Sequence, residues 1–360
     1  MYTPHRLRLT RPLVRANGLA TFVLALAAGL GACDEQGPTS PSGSPASDEE
    51  ISRSAGSASA SALMPAIGDG DLVAIKKWST ASGTTELHAL SRNSLYQSFS
   101  MQTGTVLHPT DGLWAFAVAD WDDDDPNWFR LDVVGIKKAN TGSGHTEVHV
   151  LSGKDNYSKF LHQWATALPE TGGNYEFAIA DWNKDHYYDL IAVKKNGTGT
   201  GRTEIHILSG ATGFQTYLLQ IGTALPATDV SWTFQVADWD GRGTPDLIGV
   251  KRSGTASGRT EVHILSGESN FQQFVLRVAT PIEQTMFNWS FLVQFWDNDY
   301  VPDLIGVKRA NTGTGKTEVH VLSGASRFQG FLQQTGTALG PTGAEWTFAT
   351  AVPRIHLPIN

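Results

Sequence analysis

The chain has one cysteine, Cys33, among 360 residues, so no disulfide can form within it. Its long apolar run, residues 19–30, is too short to span a bilayer comfortably. Acids exceed bases, giving a formal net charge of −8 without a basic stripe, which excludes nucleic-acid binding. Helical periodicity and the short motifs of serine hydrolases, zinc proteases, P-loops and dinucleotide folds are also missing. The sequence therefore nominates no catalytic residue.

What the chain does contain is one pattern repeated five times. A Thr-Glu-aliphatic-His segment recurs at intervals of 61, 57, 57 and 57 residues. Its glutamates are Glu86, Glu147, Glu204, Glu261 and Glu318. A fixed period of this length, rich in strand patterns, indicates an array of identical supersecondary units.

Each repeat reads as four short strands separated by Gly-rich or Asp-rich turns. In the fourth copy, residues 232–236 alternate apolar and polar, and further strands follow at 246–252, 260–265 and 271–276. Four antiparallel strands per repeat predict an all-β, five-bladed β-propeller. The first copy lacks its opening strand, and residues 345–351 supply a spare one, so we expect these residues to close the ring. Six blades, or an open array completed by a partner chain, are the alternatives.

The first residues differ from the repeats. Arginines 6, 8, 11 and 15 precede the apolar run, which has the layout of a secretory signal. The following Leu30-Gly31-Ala32-Cys33 resembles the lipobox of bacterial lipoproteins, which implies acylation of Cys33; an ordinary signal peptide with an incidental cysteine is the alternative. We expect a signal at 1–32, a disordered Ser/Gly/Pro-rich tether at 33–63 and a propeller at 64–360. The protein would then be exported and anchored at the periplasmic face or the cell surface.

Acidic loops lie between the first and second strands of the repeats. The third copy places Asp181, Asn183, Asp185 and Asp189 at relative positions 1, 3, 5 and 9, which suits Ca²⁺. This spacing resembles the D-x-D-x-D-G-x-x-D-[LI] loops of FG-GAP/VCBS propellers, which include integrin-type domains and lectins. The resemblance covers about residues 66–351, but only the loop and the following Asp-Leu are specific.

Carried over to the other copies, the metal-binding pattern is uneven. The second copy offers Asp120, Asp122, Asp124 and Asp132, with an insertion before the last; the fourth offers Asp238, Asp240 and Asp246, with Arg242 in the central position; the fifth offers Asp297, Asp299 and Asp303. The first copy has Asp69 and Asp71, with Val352 and Arg354 where the closing strand should supply acids. The resemblance implies a structural calcium, best in the third copy. An Asp turn satisfied by its own backbone amides is the alternative.

Two further features recur in every copy. The Glu-x-His pair shares one face of its strand and lies across from a lysine, which favours a structural role over ligand binding or catalysis. One set of aromatic residues, namely Trp114, Tyr175, Trp232, Trp289 and Trp346, is expected to pack between blades. A second set beside the Asp loops, namely Trp121, Trp182, Trp239 and Trp296, could stack on sugars, as could the unrepeated Trp78, Trp128 and Trp164.

These patterns favour a non-enzymatic, monomeric propeller that binds glycans at several equivalent sites, because repeated weak sites gain by avidity. A protein-interaction or adhesion scaffold of the cell envelope is the second hypothesis. An enzyme with an asymmetric central pocket is the third.

Overall fold

A computed structural model describes residues 66–122, 130–297 and 299–352. The expected signal, Cys33 and the tether lie outside these residues, as do Asp124, Trp128 and Arg354. No helix in the described part of the chain is long and apolar enough to cross a membrane.

Twenty strands form five four-stranded antiparallel sheets, which are the blades of a five-bladed β-propeller. Blade 1 contains β1 Leu72–Lys76, β2 Glu86–Leu90 and β3 Phe99–Gly104, and is completed by β20 Trp346–Ala349. Blade 2 contains β4 Trp114–Ala119, β5 Asp132–Lys137, β6 His145–Leu151 and β7 Phe160–Pro169. Blade 3 contains β8 Tyr175–Ala180, β9 Asp189–Lys194, β10 Arg202–Leu208 and β11 Tyr217–Pro226. Blade 4 contains β12 Trp232–Ala237, β13 Asp246–Lys251, β14 Arg259–Leu265 and β15 Phe274–Glu283. Blade 5 contains β16 Trp289–Gln294, β17 Asp303–Lys308, β18 Glu318–Leu322 and β19 Phe331–Gly336.

The last strand closes the ring, as the sequence predicts. β20 pairs with β1, and Lys76 lies opposite Trp346. Val352 then donates its N–H to the Val118 carbonyl of blade 2 at 2.8 Å. The innermost strands β4, β8, β12, β16 and β20 neighbour one another around a central channel of about 260 Å³.

Apolar faces of neighbouring blades form the core. Val73, Ile75 and Leu87 of blade 1 pack with Val118 and Val133 of blade 2, and all five are fully buried. Short apolar strands alternate their side chains between two faces, so each blade can pack against both of its neighbours.

A buried aspartate ties two loops together in each blade. Asp246 accepts the Trp239 N–H at 3.0 Å with one oxygen and the Gly267 N–H at 2.8 Å with the other. Gly267 is required there because an added Cβ would lie 2.3 Å from the Pro245 carbonyl oxygen. Blade 1 varies this arrangement: Arg92 occupies the glycine position, and Gly70 provides the space instead.

The ring has two ends with different loops. We call one the aspartate end; it carries the Asp loops, where β4 passes to β5, and the Ser-Gly turns, where β6 passes to β7. We call the other the lysine end; it carries the loops that follow Lys137 and its equivalents, and the connections from one blade to the next.

Candidate functional site

Each blade presents an aromatic and histidine surface to the blade before it. In blade 2, Phe116, Gly135, His149 and Gln163 lie in one row across four strands. Trp114 packs against His149, with ring centroids 5.1 Å apart. Gly135 allows this close packing, since an added Cβ would lie 3.1 Å from the Trp114 ring.

The histidine on this surface bridges a side-chain donor from the fourth strand and a glutamate. In blade 4, Arg277 Nε lies 3.4 Å from His263 Nδ1, and an arginine can only donate. The proton of His263 therefore sits on Nε2, which donates to Glu261 Oε2 at 3.2 Å. Gln163 and Glu147 flank His149 at 3.1 and 3.3 Å in the same way. Burial lowers the pKa of both histidines, which favours the neutral form of each ring.

The glutamate of the pair also fixes a loop. Glu147 accepts the Ser143 hydroxyl at 2.8 Å, and Glu204 accepts the Thr200 hydroxyl at 2.9 Å. Its carboxylate is thus occupied within the blade, in keeping with the structural role expected from its repetition.

The lysine across the sheet has a different partner from the one expected. Lys137 lies opposite Glu147 in register, but its Nζ lies 6.0 Å from the Trp114 ring centroid. Lys251 lies over Trp232 in the same way, at 5.9 Å. The glutamate contacts its histidine instead, because both side chains project from one strand face two residues apart.

A cleft of about 650 Å³ opens above this surface between blades 1 and 2, at the lysine end. Its walls include Trp114, His149 and Phe160 on one side and the connection 106–111 on the other. Asn140 and Gln163 add polar groups. Equivalent aromatic, histidine and lysine positions recur in all five blades, with Tyr175 replacing tryptophan in blade 3 and Arg277 replacing glutamine in blade 4.

The Asp loops lie at the aspartate end, and their carboxylates are closest together in blades 2 and 4. Within each of two groups, ligand oxygens lie inside 4.8 Å of one another. The groups are Asp120, Asp122 and Asp132, and Asp238, Asp240 and Asp246. Both offer the oxygen donors that a hard cation prefers. Arg242 Nε lies 3.4 Å from Asp240, beside the second group, where the sequence predicts competition with a cation.

In blade 3 the loop oxygens bind the loop's own backbone. Asp181 accepts the N–H groups of Asp185 and His186 at 3.1 and 3.0 Å, and Asp185 accepts that of Tyr187 at 2.9 Å. Asn183 donates to Asp185 at 2.8 Å. The spacing that suits calcium is therefore also a self-satisfied turn.

In blade 5 the loop resembles that of blade 3, with Asp299 accepting the Val301 N–H at 2.9 Å and Asp303 accepting that of Asp297 at 3.3 Å. Burial raises the pKa of the last aspartate in four blades: that of Asp71 rises, that of Asp189 and Asp303 rises to about 6, and that of Asp246 to about 7.

The Asp-loop tryptophans are half-buried between blades. Trp182 packs on Phe271 with centroids 5.1 Å apart, and Trp296 packs on Tyr96 at 5.4 Å. Trp239 lies 6.3 Å from Phe328, and Trp121 lies 6.2 Å from Phe214. Each buried ring belongs to the following blade, so these tryptophans act as wedges in the ring.

Two unrepeated tryptophans occupy different surroundings. Trp164 stacks on His162 with centroids 4.0 Å apart. Trp78 lies at the lysine end, 4.7 Å from Lys77 Nζ, in a cleft beside the channel.

The fold and these sites define the class of the protein as a five-bladed β-propeller with repeated surface features, an architecture compatible with ligand binding or with an interaction scaffold. None of the family models scanned against the chain matches it, and a search of curated proteins also gives no match.

Proposed function

We propose that this propeller is a non-enzymatic carbohydrate-binding module whose sugars occupy the clefts between successive blades at the lysine end. The cleft formed by Trp114, His149 and Phe160 carries the proposal. Sugars present apolar C–H faces and hydroxyl edges, and this cleft combines aromatic faces with the amides of Asn140 and Gln163 and the charged groups of Asp111 and Lys137.

The same geometry favours binding over catalysis. A catalytic centre needs distinct groups in distinct roles, whereas the Glu-x-His pair recurs in every blade with its carboxylate already hydrogen-bonded. Five weak sites on one rigid ring suit a repetitive target, because simultaneous engagement raises the effective affinity.

Calcium at the aspartate end belongs to the same proposal as a structural ion. The carboxylate groups of blades 2 and 4 are the closest, and the residue spacing of blade 3 is the most complete. This is the feature in which the chain resembles FG-GAP/VCBS propellers. An acylated Cys33 would hold the module at a membrane, and inhibition of lipoprotein signal peptidase should then leave an uncleaved precursor.

A protein-interaction scaffold is the second candidate, because apolar side chains are exposed at the lysine end. Val230 and Phe287 occupy equivalent positions beside the channel mouth and are 59% and 58% exposed. Surface apolar groups of this kind mark contact sites when they cluster. A protein partner that binds wild type but not Val230→Ser/Phe287→Ser would support this candidate.

A glycan array with two matched double variants tests the main proposal. One variant changes Trp114 and Trp346 to Phe, because the equivalent Trp232 and Trp289 are buried at 8% and 9% exposed; the other changes Trp121 and Trp296 to Phe. We expect the first to lose glycan binding and the second to keep it, with circular dichroism confirming that both fold. Loss in the second variant alone, or silence of the wild type across the array, would overturn the proposal. Repeating the array with a chelator separates a structural calcium from one that contacts sugar.

A further inference from the structure

Five cationic side chains occupy one equivalent position in the five blades. Each follows the lysine that ends the second strand: Lys77, Lys138, Lys195, Arg252 and Arg309. Each donates its backbone N–H at 2.8 Å to the chain just before an innermost strand, as Lys138 does to Leu113 and Arg252 to Ser231. Because side chains alternate along a strand, these five project away from the cleft surface that holds Lys137. Lys138 and Arg252 line the central channel.

The cations are close enough to repel one another. Burial, together with the charges of Lys138 and Arg309, lowers the pKa of Lys77 to about 8. The charge of Lys195 likewise lowers the pKa of Lys138, and the charge of Arg252 lowers the pKa of Arg309. These couplings connect neighbouring blades around the ring. Lys77 is only 8% exposed and Lys195 only 5%, so water screens the repulsion weakly.

One carboxylate faces this ring from the channel wall. The equivalent wall positions are Ala115, Glu176, Thr233, Ser290 and Thr347, and Glu176 alone is acidic. Glu176 binds Lys195 Nζ at 2.8 Å with one oxygen, and the Thr233 hydroxyl and the Phe234 N–H with the other. It therefore pairs directly with one cation of the five, and its charge also offsets those of Lys138 and Arg252.

Three other acids lie further out at the lysine end: Asp111, Asp229 and Glu345. Asp111 and Asp229 are exposed and accept hydrogen bonds from their own turns, at Leu113 and Ser231. Together with the half-buried Glu345, they moderate the positive potential of the five cations.

The two arginines are held in place but retain donors. Arg252 and Arg309 each donate one terminal nitrogen to a backbone carbonyl, of Val230 and Phe287 respectively. The Nε of each is buried and has no hydrogen-bond partner among the described residues. Leaving a buried charged donor unpaired costs free energy, and each guanidinium keeps further terminal N–H groups for an incoming acceptor.

We propose that the channel mouth at the lysine end binds one compact oxyanion, either inorganic phosphate or the carboxylate of an acidic sugar. A phosphate or carboxylate group is small enough for the channel of about 260 Å³. The adjoining cleft of about 640 Å³, with Trp78 and Phe287 in its walls, gives space for a sugar ring attached to the anion. This site is distinct from the inter-blade clefts. It occurs once per ring, and its cations project from the face of each second strand opposite to the cleft surface.

Titration calorimetry of the full chain in low-chloride buffer tests this site, with inorganic phosphate, glucuronate and glucose as probes. We expect phosphate or glucuronate to bind with one site per chain, and glucose to give no such site. Glucuronate binding more tightly than phosphate would identify an acidic sugar as the source, and the reverse order would identify phosphate. Absence of binding by both anions at about millimolar concentrations, where weak specific contacts register, would overturn the proposal.

Matched variants separate a built site from general surface charge. Arg309→Gln should weaken anion affinity by at least about tenfold, the usual worth of a charge-assisted hydrogen bond. Lys159→Gln removes the same charge at the aspartate end, from a side chain that is 68% exposed, and should leave affinity unchanged. Equal losses in both variants would contradict the site. If Arg309→Gln fails to fold, Glu176→Gln provides the opposite test: removing the wall's one carboxylate should strengthen anion binding, and a weakened affinity would count against the proposal.

Discussion

At the residue scale, the side chains whose types suggest catalysis or binding are largely engaged in hydrogen bonds and packing contacts within the fold. The sequence places Glu147 and His149 on one strand face, and the structure confirms that they are neighbours. It could not show that the lysine opposite turns to Trp114, because that choice depends on how the tryptophan packs over Gly135. The buried aspartate that opens each second strand was expected as a metal ligand, yet it also joins two loops.

The buried histidines should make stability depend on pH. Folding lowers the pKa of all five, so as pH falls below about 6.5 the unfolded chain takes up protons first. Their contribution is therefore complete above that pH and is lost as pH falls towards the folded-state pKa. The raised pKa values of Asp189, Asp246 and Asp303 act in the opposite direction over the same range, so the histidine contribution is measured as a difference between wild type and His149→Gln. Between about pH 7.5 and 5.5 we expect the free energy of unfolding in urea to change less favourably in wild type than in His149→Gln; identical changes in the two proteins would contradict this explanation.

The Ser-Gly turn should be intolerant of a single added methyl group. In Gly267→Ala, the new Cβ would meet the Pro245 carbonyl at 2.3 Å, so we expect a loss of about 1–3 kcal/mol in unfolding free energy. Gly142→Ala is the control, because nothing lies within 4 Å of its added Cβ. Equal stability of the two variants in denaturant titrations would show that the turn relaxes freely.

At the element scale, strand order and ring closure were predictable because the repeats align and one opening strand is displaced to the far end of the described chain. The Asp loops were less predictable. Their spacing is complete in blade 3, where the oxygens bind backbone amides. Blades 2 and 4 bring three carboxylates together, although in blade 4 Asp238 and Asp240 accept backbone N–H groups as well. Spacing alone cannot distinguish a cation from an amide as the partner of a carboxylate.

Removing the closing strand should disrupt blade 1. A chain ending at Gly343 lacks β20 and leaves the edge of β1 unpaired, whereas a chain ending at Val352 keeps both the strand and its bond to Val118. We expect the shorter chain to melt about 10 °C or more below the longer one. Loss of the strand removes several kcal/mol of unfolding free energy, and each kcal/mol lowers Tm by a few degrees. Identical Tm values in calorimetry would rule out closure by this strand.

Calcium should stabilise the folded protein if the Asp loops bind it. An ion that binds only the native state raises Tm with its concentration. We expect millimolar Ca²⁺ after chelation to raise Tm in wild type and in Asp155→Asn, but not in Asp122→Asn/Asp240→Asn. If Asp185→Asn removes the shift instead, the ion lies in blade 3. A wild-type Tm that calcium leaves unchanged would contradict the calcium proposal.

At the scale of the whole molecule, the two ends of the ring differ in character. Turns closed by aspartate occupy one end, whereas the inter-blade cleft, the channel mouth and the ring of cations lie at the other. The sequence shows the second cation of each Lys-Lys or Lys-Arg pair, but it does not show that the five cations lie close together at the lysine end. Their proximity depends on ring closure and on the alternation that directs neighbouring side chains to opposite faces of a strand.

A structure of the protein saturated with its best-binding array glycan would locate the bound sugar directly. We expect sugar between Trp114 and the connection 106–111, and at equivalent positions in other blades, all at the lysine end. Sugar bound beside Trp121, Trp182, Trp239 or Trp296, at the aspartate end, would contradict this expectation.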